Sequence, residues 1–180
     1  MNWPNRLSIL RIALVPLVVL MAYVDTPWSY GVALALFVLG GLTDWADGWM
    51  ARRYGIVTNF GKFMDPVADK LLVLSTMISL CGQGWIPAWA CVVVLFREFA
   101  VDGLRLVAME QGQVIAAGKL GKIKTCTQMA VLVAFLLSAA GWLHVPALNE
   151  CLLWLAVLMT LWSGADYFVR NRALFSRGLR

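Results

Sequence analysis

The chain has 180 residues, 61% of them hydrophobic and 14% charged, with a mean hydropathy of +0.76. That balance excludes an ordinary soluble domain and points to an integral membrane protein. The net charge of +5 suits an anionic lipid surface or an anionic substrate, and without a basic soluble segment it argues against nucleic acid as a partner.

A spanning helix needs about 20 mostly apolar residues. Six segments qualify in chain order: 8–24, 30–53, 65–82, 86–109, 121–142 and 148–170. No linker or internal repeat separates them, so residues 1–180 read as a single all-α membrane domain of six transmembrane helices. The start, MNWPNRLSILR, reads as a short interfacial arm, with Trp3 at headgroup level and Asn5 or Ser8 as a helix cap. It is basic and then apolar like a signal peptide, but no small-residue cleavage site follows, so the first span is read as retained. The connections near 25–29, 83–87 and 142–149 contain no Lys or Arg; all 15 lie at the termini or around the other two connections. The positive-inside rule then places both termini in the cytoplasm. Trp28, Trp85, Trp89 and Trp142 near the outer ends read as interface anchors. His144 falls in an outer connection, away from the acids. The four cysteines, Cys81, Cys91, Cys126 and Cys151, are scattered and read as small packing residues.

The second and third spans carry the costliest feature. Asp44 and Asp47 stand at i and i+3, Asp65 and Asp69 at i and i+4, so each pair shares one helix face. The link 54–64 makes the two helices antiparallel neighbours, and Pro66 suits the first turn of the second. By helical rise, Asp47 lies about 9 Å inward from Arg53 and Asp69 about 6 Å deeper than Asp65. The four carboxylates gather just below the inner membrane surface, where a lipid phosphate sits. Two carboxylates about 5 Å apart repel by roughly 3 kcal/mol at an effective dielectric of about 20. Protonation, basic partners or divalent cations can offset that. An all-oxygen cluster favours Mg2+ or Mn2+, and four carboxylates can hold two ions. A salt-bridge network with Arg52, Arg53, Lys62 and Lys70 is the plain alternative. The small residues Gly48, Ala51 and Gly61 count against it, because they clear space for a ligand.

The run Asp44-x-x-Asp47-Gly48-x-x-Ala51-Arg52, then eight residues, then Gly61-x-x-x-Asp65-x-x-x-Asp69, resembles the full signature of the CDP-alcohol phosphotransferase family. The six-span layout agrees along essentially the whole chain. The resemblance implies an enzyme that moves a phosphatidyl or similar group from a CDP-linked donor to an alcohol and releases CMP. It implies two divalent ions on Asp44, Asp47, Asp65 and Asp69, with Asp69 also as the base for the attacking hydroxyl. It implies that Gly48, Ala51, Arg52 and Gly61 line the cytidine diphosphate site, that the protein is a homodimer, and that the active site lies at the cytoplasmic face of the inner membrane.

A second polar cluster bears on the acceptor. REFAVDGLR places Arg97, Glu98, Asp102 and Arg105 in the fourth span. Arg97 and Arg105 lie about 80° apart around the helix, and Arg97 sits about 15 Å in from the outer end. An arginine at that depth is a functional-site candidate; its plain reading is an ion pair with Glu98 or Asp102. The acids are read as orienting the arginines, and the arginines as serving an anion. GKLGKIKT adds Lys119, Lys122 and Lys124; Lys122 is taken to lie further in and to join Arg97 and Arg105 on a phosphate. A phosphate pocket argues for a phosphorylated acceptor. The blocks DPVADKLLV, REFAVDGLR, GKIKT and PNRLSILR are similar to family members that join CDP-diacylglycerol to sn-glycerol 3-phosphate, with Ser8 where threonine is expected. The alternatives are an inositol-phosphate acceptor within the family and, from another class, a divalent-cation transporter. Asp166 is expected to pair with Arg170 at i+4.

Overall fold

The computed structural model describes residues 3–54, 59–112 and 118–172 and, within them, all side chains but those of residues 3–6, 47, 49, 51, 52, 54, 59–66 and 119. These residues form α1 (Trp3–Val24), α2 (Pro27–Tyr54), α3 (Asn59–Gly82), α4 (Ala88–Glu110), α5 (Lys119–Ala139) and α6 (Pro146–Arg170), with no strand among them. The six expected segments are recovered, with helix ends set by local chemistry. α2 begins three residues before the expected span because Thr26 and Ser29 cap it reciprocally around Pro27. The Ser29 N–H donates to Thr26 Oγ1 at 3.2 Å and the Thr26 N–H to Ser29 Oγ at 3.1 Å. α5 stops at Ala139 because Gly141 adopts a left-handed φ of 73°. Its N–H donates to Ser138 O at 3.0 Å, and Trp142 N–H to Leu137 O at 3.1 Å, which closes the helix.

Two expectations at helix starts are corrected. The N-terminal arm is not a separate element. Residues from Trp3 run without a break into α1, and Ser8 is a buried residue inside that helix, not its cap. Likewise α3 begins at Asn59, so Pro66 lies inside the helix, past its first turn. A proline there forfeits one intrahelical hydrogen bond, which the flanking turns can bear near a helix start.

Among the described residues, four segments are long and apolar enough to cross a bilayer: Leu7–Val24, Pro27–Ala46, Leu120–Ala139 and Pro146–Arg170. Charge is what sets α3 and α4 apart. Any 18-residue stretch of α3 takes in Asp65, Asp69 and Lys70, and any such stretch of α4 takes in Arg97, Glu98 and Asp102.

The chain divides into two compact units, Met1–Ile86 with Leu132–Val145, and Pro87–Val131 with Pro146–Arg180. In the first, α1 packs on α2 and α3, and α2 touches α3. Ser8, Arg11, Leu14, Val18 and Ala22 form the buried stripe of α1, and Ala33 and Phe37 of α2 and Leu72, Thr76 and Leu80 of α3 are buried in the same unit. Tyr30 donates to Asp25 Oδ1 at 2.6 Å and accepts from Trp85 Nε1 at 3.2 Å, so Trp85 pins the α2 start. In the second unit, α4 packs on α6 around Val101, Leu104, Ala108 and Tyr167. None of the four cysteines forms a disulfide; Cys91 is buried, while Cys126 and Cys151 are exposed.

Gly40 fixes the α2–α3 register. A Cβ there would lie 2.6 Å from Leu72 Cδ2, a side chain only 1% exposed. Gly40→Val is therefore expected to destabilise the protein by about 1–3 kcal/mol through overpacking. Thermal unfolding in detergent measures this, and adding Leu72→Ala should recover part of the loss.

Candidate active site

The Gly40–Leu72 contact sets the level of the acids. Asp44 lies one turn beyond Gly40 on α2, and Asp69 three residues before Leu72 on α3, which returns in the opposite direction. Both positions therefore fall about 4.5–6 Å along the helix axes from the same contact. Asp69 is half-buried. Asp44 is held from behind: its Oδ1 lies 2.7 Å from Arg11 Nη1, and the Arg11 side chain is fully buried while that of Asp44 is 45% exposed. An arginine taken wholly out of solvent beside a partly exposed carboxylate anchors one oxygen of that carboxylate.

Among the described residues, no three His, Cys, Asp or Glu gather closely enough to hold a metal. Asp47 and Asp65, two of the four expected ligands, lie outside the described side chains, as do Ala51, Arg52 and Gly61 of the expected cytidine site. Gly48 is described and half-buried on α2. In Asp44 and Asp69 the donor set is carboxylate oxygen on two contacting helices, with no Cys or His beside it. That chemistry fits a hard divalent ion.

The second cluster is built by the inward face of α4. Glu98, 5% exposed, stands on the same stripe as Cys91, Val94, Val101, Leu104 and Ala108. Its Oε1 accepts from Lys124 Nζ of α5 and, at 3.1 Å, from Arg97 Nη1. Arg97 Nη2 donates to Ser163 Oγ of α6 at 3.1 Å. Gly164 makes room for it, since a Cβ at that position would lie 3.1 Å from Arg97 Cγ. Arg105 Nε donates to the Tyr167 hydroxyl at 3.2 Å, and its guanidinium carbon lies 5.6 Å from the Tyr167 ring centroid. Glu98 thus orients Arg97, as expected. Lys122, expected to lie inward, is exposed, and Lys124 two residues on is the lysine that joins the cluster. Asp166 pairs with Arg170 at 2.8 Å on the exposed side of α6, as its i+4 spacing predicts. His144 is exposed between α5 and α6.

Arg11, Lys124, Ser163 and Tyr167 were not singled out from the sequence as site residues. Arg11 carried a signal: it lies on the 8–11–14–18–22 stripe of an apolar helix, where a flanking charge would not be placed. Ser163 and Tyr167 carried a weaker one, as hydroxyl residues one turn apart in an apolar run.

These features define an all-helical integral membrane protein with carboxylates on two contacting helices and a buried network of cations on others. A family model described as CDP-alcohol phosphatidyltransferase matches residues 1–162, and the chain belongs to that family. It is 40% identical to the CDP-diacylglycerol–glycerol-3-phosphate 3-phosphatidyltransferase of Bacillus subtilis, with 94% of this chain and 95% of that protein covered. It is 38% identical to the protein of the same name from Rickettsia bellii, over 97% of both chains. A further relative, the chloroplastic/mitochondrial enzyme 1 of that name from Arabidopsis thaliana, is 35% identical over 91% of this chain and 60% of its own length.

Removing Glu98 would take from buried Lys124 and from largely buried Arg97 the carboxylate they share. Glu98→Ala should cost about 3–5 kcal/mol, read as a lower unfolding temperature in detergent. Adding Lys124→Met should restore part of it.

Proposed function

We propose that the protein transfers the phosphatidyl group of CDP-diacylglycerol to sn-glycerol 3-phosphate, giving phosphatidylglycerophosphate and CMP in phosphatidylglycerol biosynthesis. The observation that carries this reading is the near full-length match to relatives named for that reaction, at 40% and 38% identity. The eight signature positions from Asp44 to Asp69 support it.

In the reaction, a hydroxyl of glycerol 3-phosphate bonds to the lipid-bearing phosphorus, the phosphoanhydride bond to CMP breaks, and the hydroxyl proton is lost. Asp69, half-buried on α3, is the residue assigned to take that proton. Asp44, Asp47, Asp65 and Asp69 would hold two Mg2+ or Mn2+ ions, which supply Lewis-acid stabilisation of the diphosphate charge when bound. Arg11 keeps Asp44 in place. Gly48, Ala51, Arg52 and Gly61 are assigned to the cytidine diphosphate. Arg105 is assigned to the acceptor phosphate; Arg97 has both fork nitrogens committed to Glu98 and Ser163, and Lys122 is exposed.

The reading extends to six transmembrane helices with both termini and the active site at the cytoplasmic face of the inner membrane. Charge asymmetry supports the orientation. The outward faces of the two charged helices support their insertion: Val92, Phe96, Phe99 and Leu106 of α4 and Val67, Leu71 and Ile78 of α3 are exposed apolar residues. A homodimer completes the proposal, on the family resemblance alone.

The test uses purified protein in detergent with CDP-diacylglycerol and Mg2+. CMP release should require glycerol 3-phosphate, fail with inositol phosphate or serine, stop with EDTA and return with added Mg2+. Asp69→Asn should lower turnover about 100-fold or more with an unchanged unfolding temperature. Wild-type turnover from that variant would remove Asp69 from the mechanism, and CMP release indifferent to glycerol 3-phosphate would remove the proposed acceptor.

A further inference from the structure

The two arginines of α4 are held in different ways, and the difference assigns them different work. Arg97 has the fork end of its guanidinium committed within the protein: Nη1 donates to Glu98 and Nη2 to Ser163. Arg105 is gripped instead by its Nε edge, which donates to the Tyr167 hydroxyl, and no described residue takes its Nη1 or Nη2. An arginine binds a phosphate best through two parallel N–H groups, so the edge left to it decides whether it can do so.

We propose that Tyr167 is a positioning residue for the acceptor: it holds Arg105 by Nε and so presents the Nη1/Nη2 fork to the phosphate of the incoming alcohol. This rests on the phosphorylated-acceptor reading above. Tyr167 is well built for the task. It is 8% exposed and packed with Val101, Leu104, Ala108 and Phe168, so its ring does not wander. The hydroxyl fixes one edge of the guanidinium, and the ring lies close enough to add a cation–π contact. A long, flexible side chain is thereby ordered before the substrate arrives, which lowers the entropy lost on binding. Ser163, one turn earlier on the same helix, does the reverse for Arg97 by taking its fork. One face of α6 therefore decides which of the two arginines meets the anion.

Tyr167→Phe removes the hydroxyl and keeps the packed ring. The expected result is a rise of about tenfold in KM for glycerol 3-phosphate, with KM for CDP-diacylglycerol, kcat and the unfolding temperature little changed. A residue that only filled the core would not split the two KM values. Because Tyr167 acts through Arg105, the variant should add no further rise in an Arg105→Lys background, where no Nε edge remains to be held. An unchanged KM for glycerol 3-phosphate in Tyr167→Phe, or the same rise persisting in the Arg105→Lys background, overturns the inference while leaving the function intact. Wild-type CMP release that ignores glycerol 3-phosphate overturns both.

Discussion

Arg11 lies fully buried in the middle of the α1 stripe, and Asp44 meets it there from the next helix. A lone charge in such surroundings would cost several kcal/mol, so the pair constrains α1 and α2 as firmly as any apolar contact between them. The same constraint recurs in the other unit, where Glu98 is buried on α4 and answered by Lys124 from α5 and Arg97 from its own helix. In both places a buried charge of one sign leaves charge chemistry more exposed beside it: the Asp44 carboxylate in one case, Arg105 in the other. Such pairs are poor sources of net stability compared with apolar packing. Their retention in a chain this apolar makes sense if the arrangement of charge is what the protein keeps them for.

That arrangement needs close-packed helices, and glycine supplies the closeness where the charged groups are set. Gly40 lets Leu72 into the α2 surface and so levels Asp44 with Asp69. Gly164 lets the stem of Arg97 lie against α6, where Ser163 can reach its fork. Each glycine lies one turn or less from a polar residue whose placement depends on it. A methyl group at either site would move a charged group rather than merely crowd a core.

Much of this was legible in the sequence, and the parts that were not share a cause. Apolar runs gave all six helices, and the i+4 spacing gave the Asp166–Arg170 pair, because both follow from the 3.6-residue period. Helix ends were read two to six residues off where capping decided them, as at Thr26–Ser29 and Gly141, or where Asn59 opens α3 well before its apolar run. The choice of Lys122 over Lys124 was harder. Residues two apart point to nearly opposite sides of a helix, and which side faced a partner depended on Glu98, a residue 26 positions away. Arg11 was counted as a flanking charge because its partner lay on another helix. Pairings between helices are long-range facts that no local window contains, whereas faces and spans are local ones.

The order in which the chain is made treats the two buried charge sets differently. Asp44 follows Arg11 by 33 residues and Lys124 follows Glu98 by 26, so both ion pairs can close while α6 is still to be made. Arg97 must wait 66 residues for Ser163. Tyr167 arrives 62 residues after Arg105. The helix richest in buried charge therefore spends longest without its partners, and its full set of contacts exists only once nearly the last turn of α6 has left the ribosome. A chain that stopped short of α6 would carry α4 without Ser163 on Arg97 and without Tyr167 on Arg105.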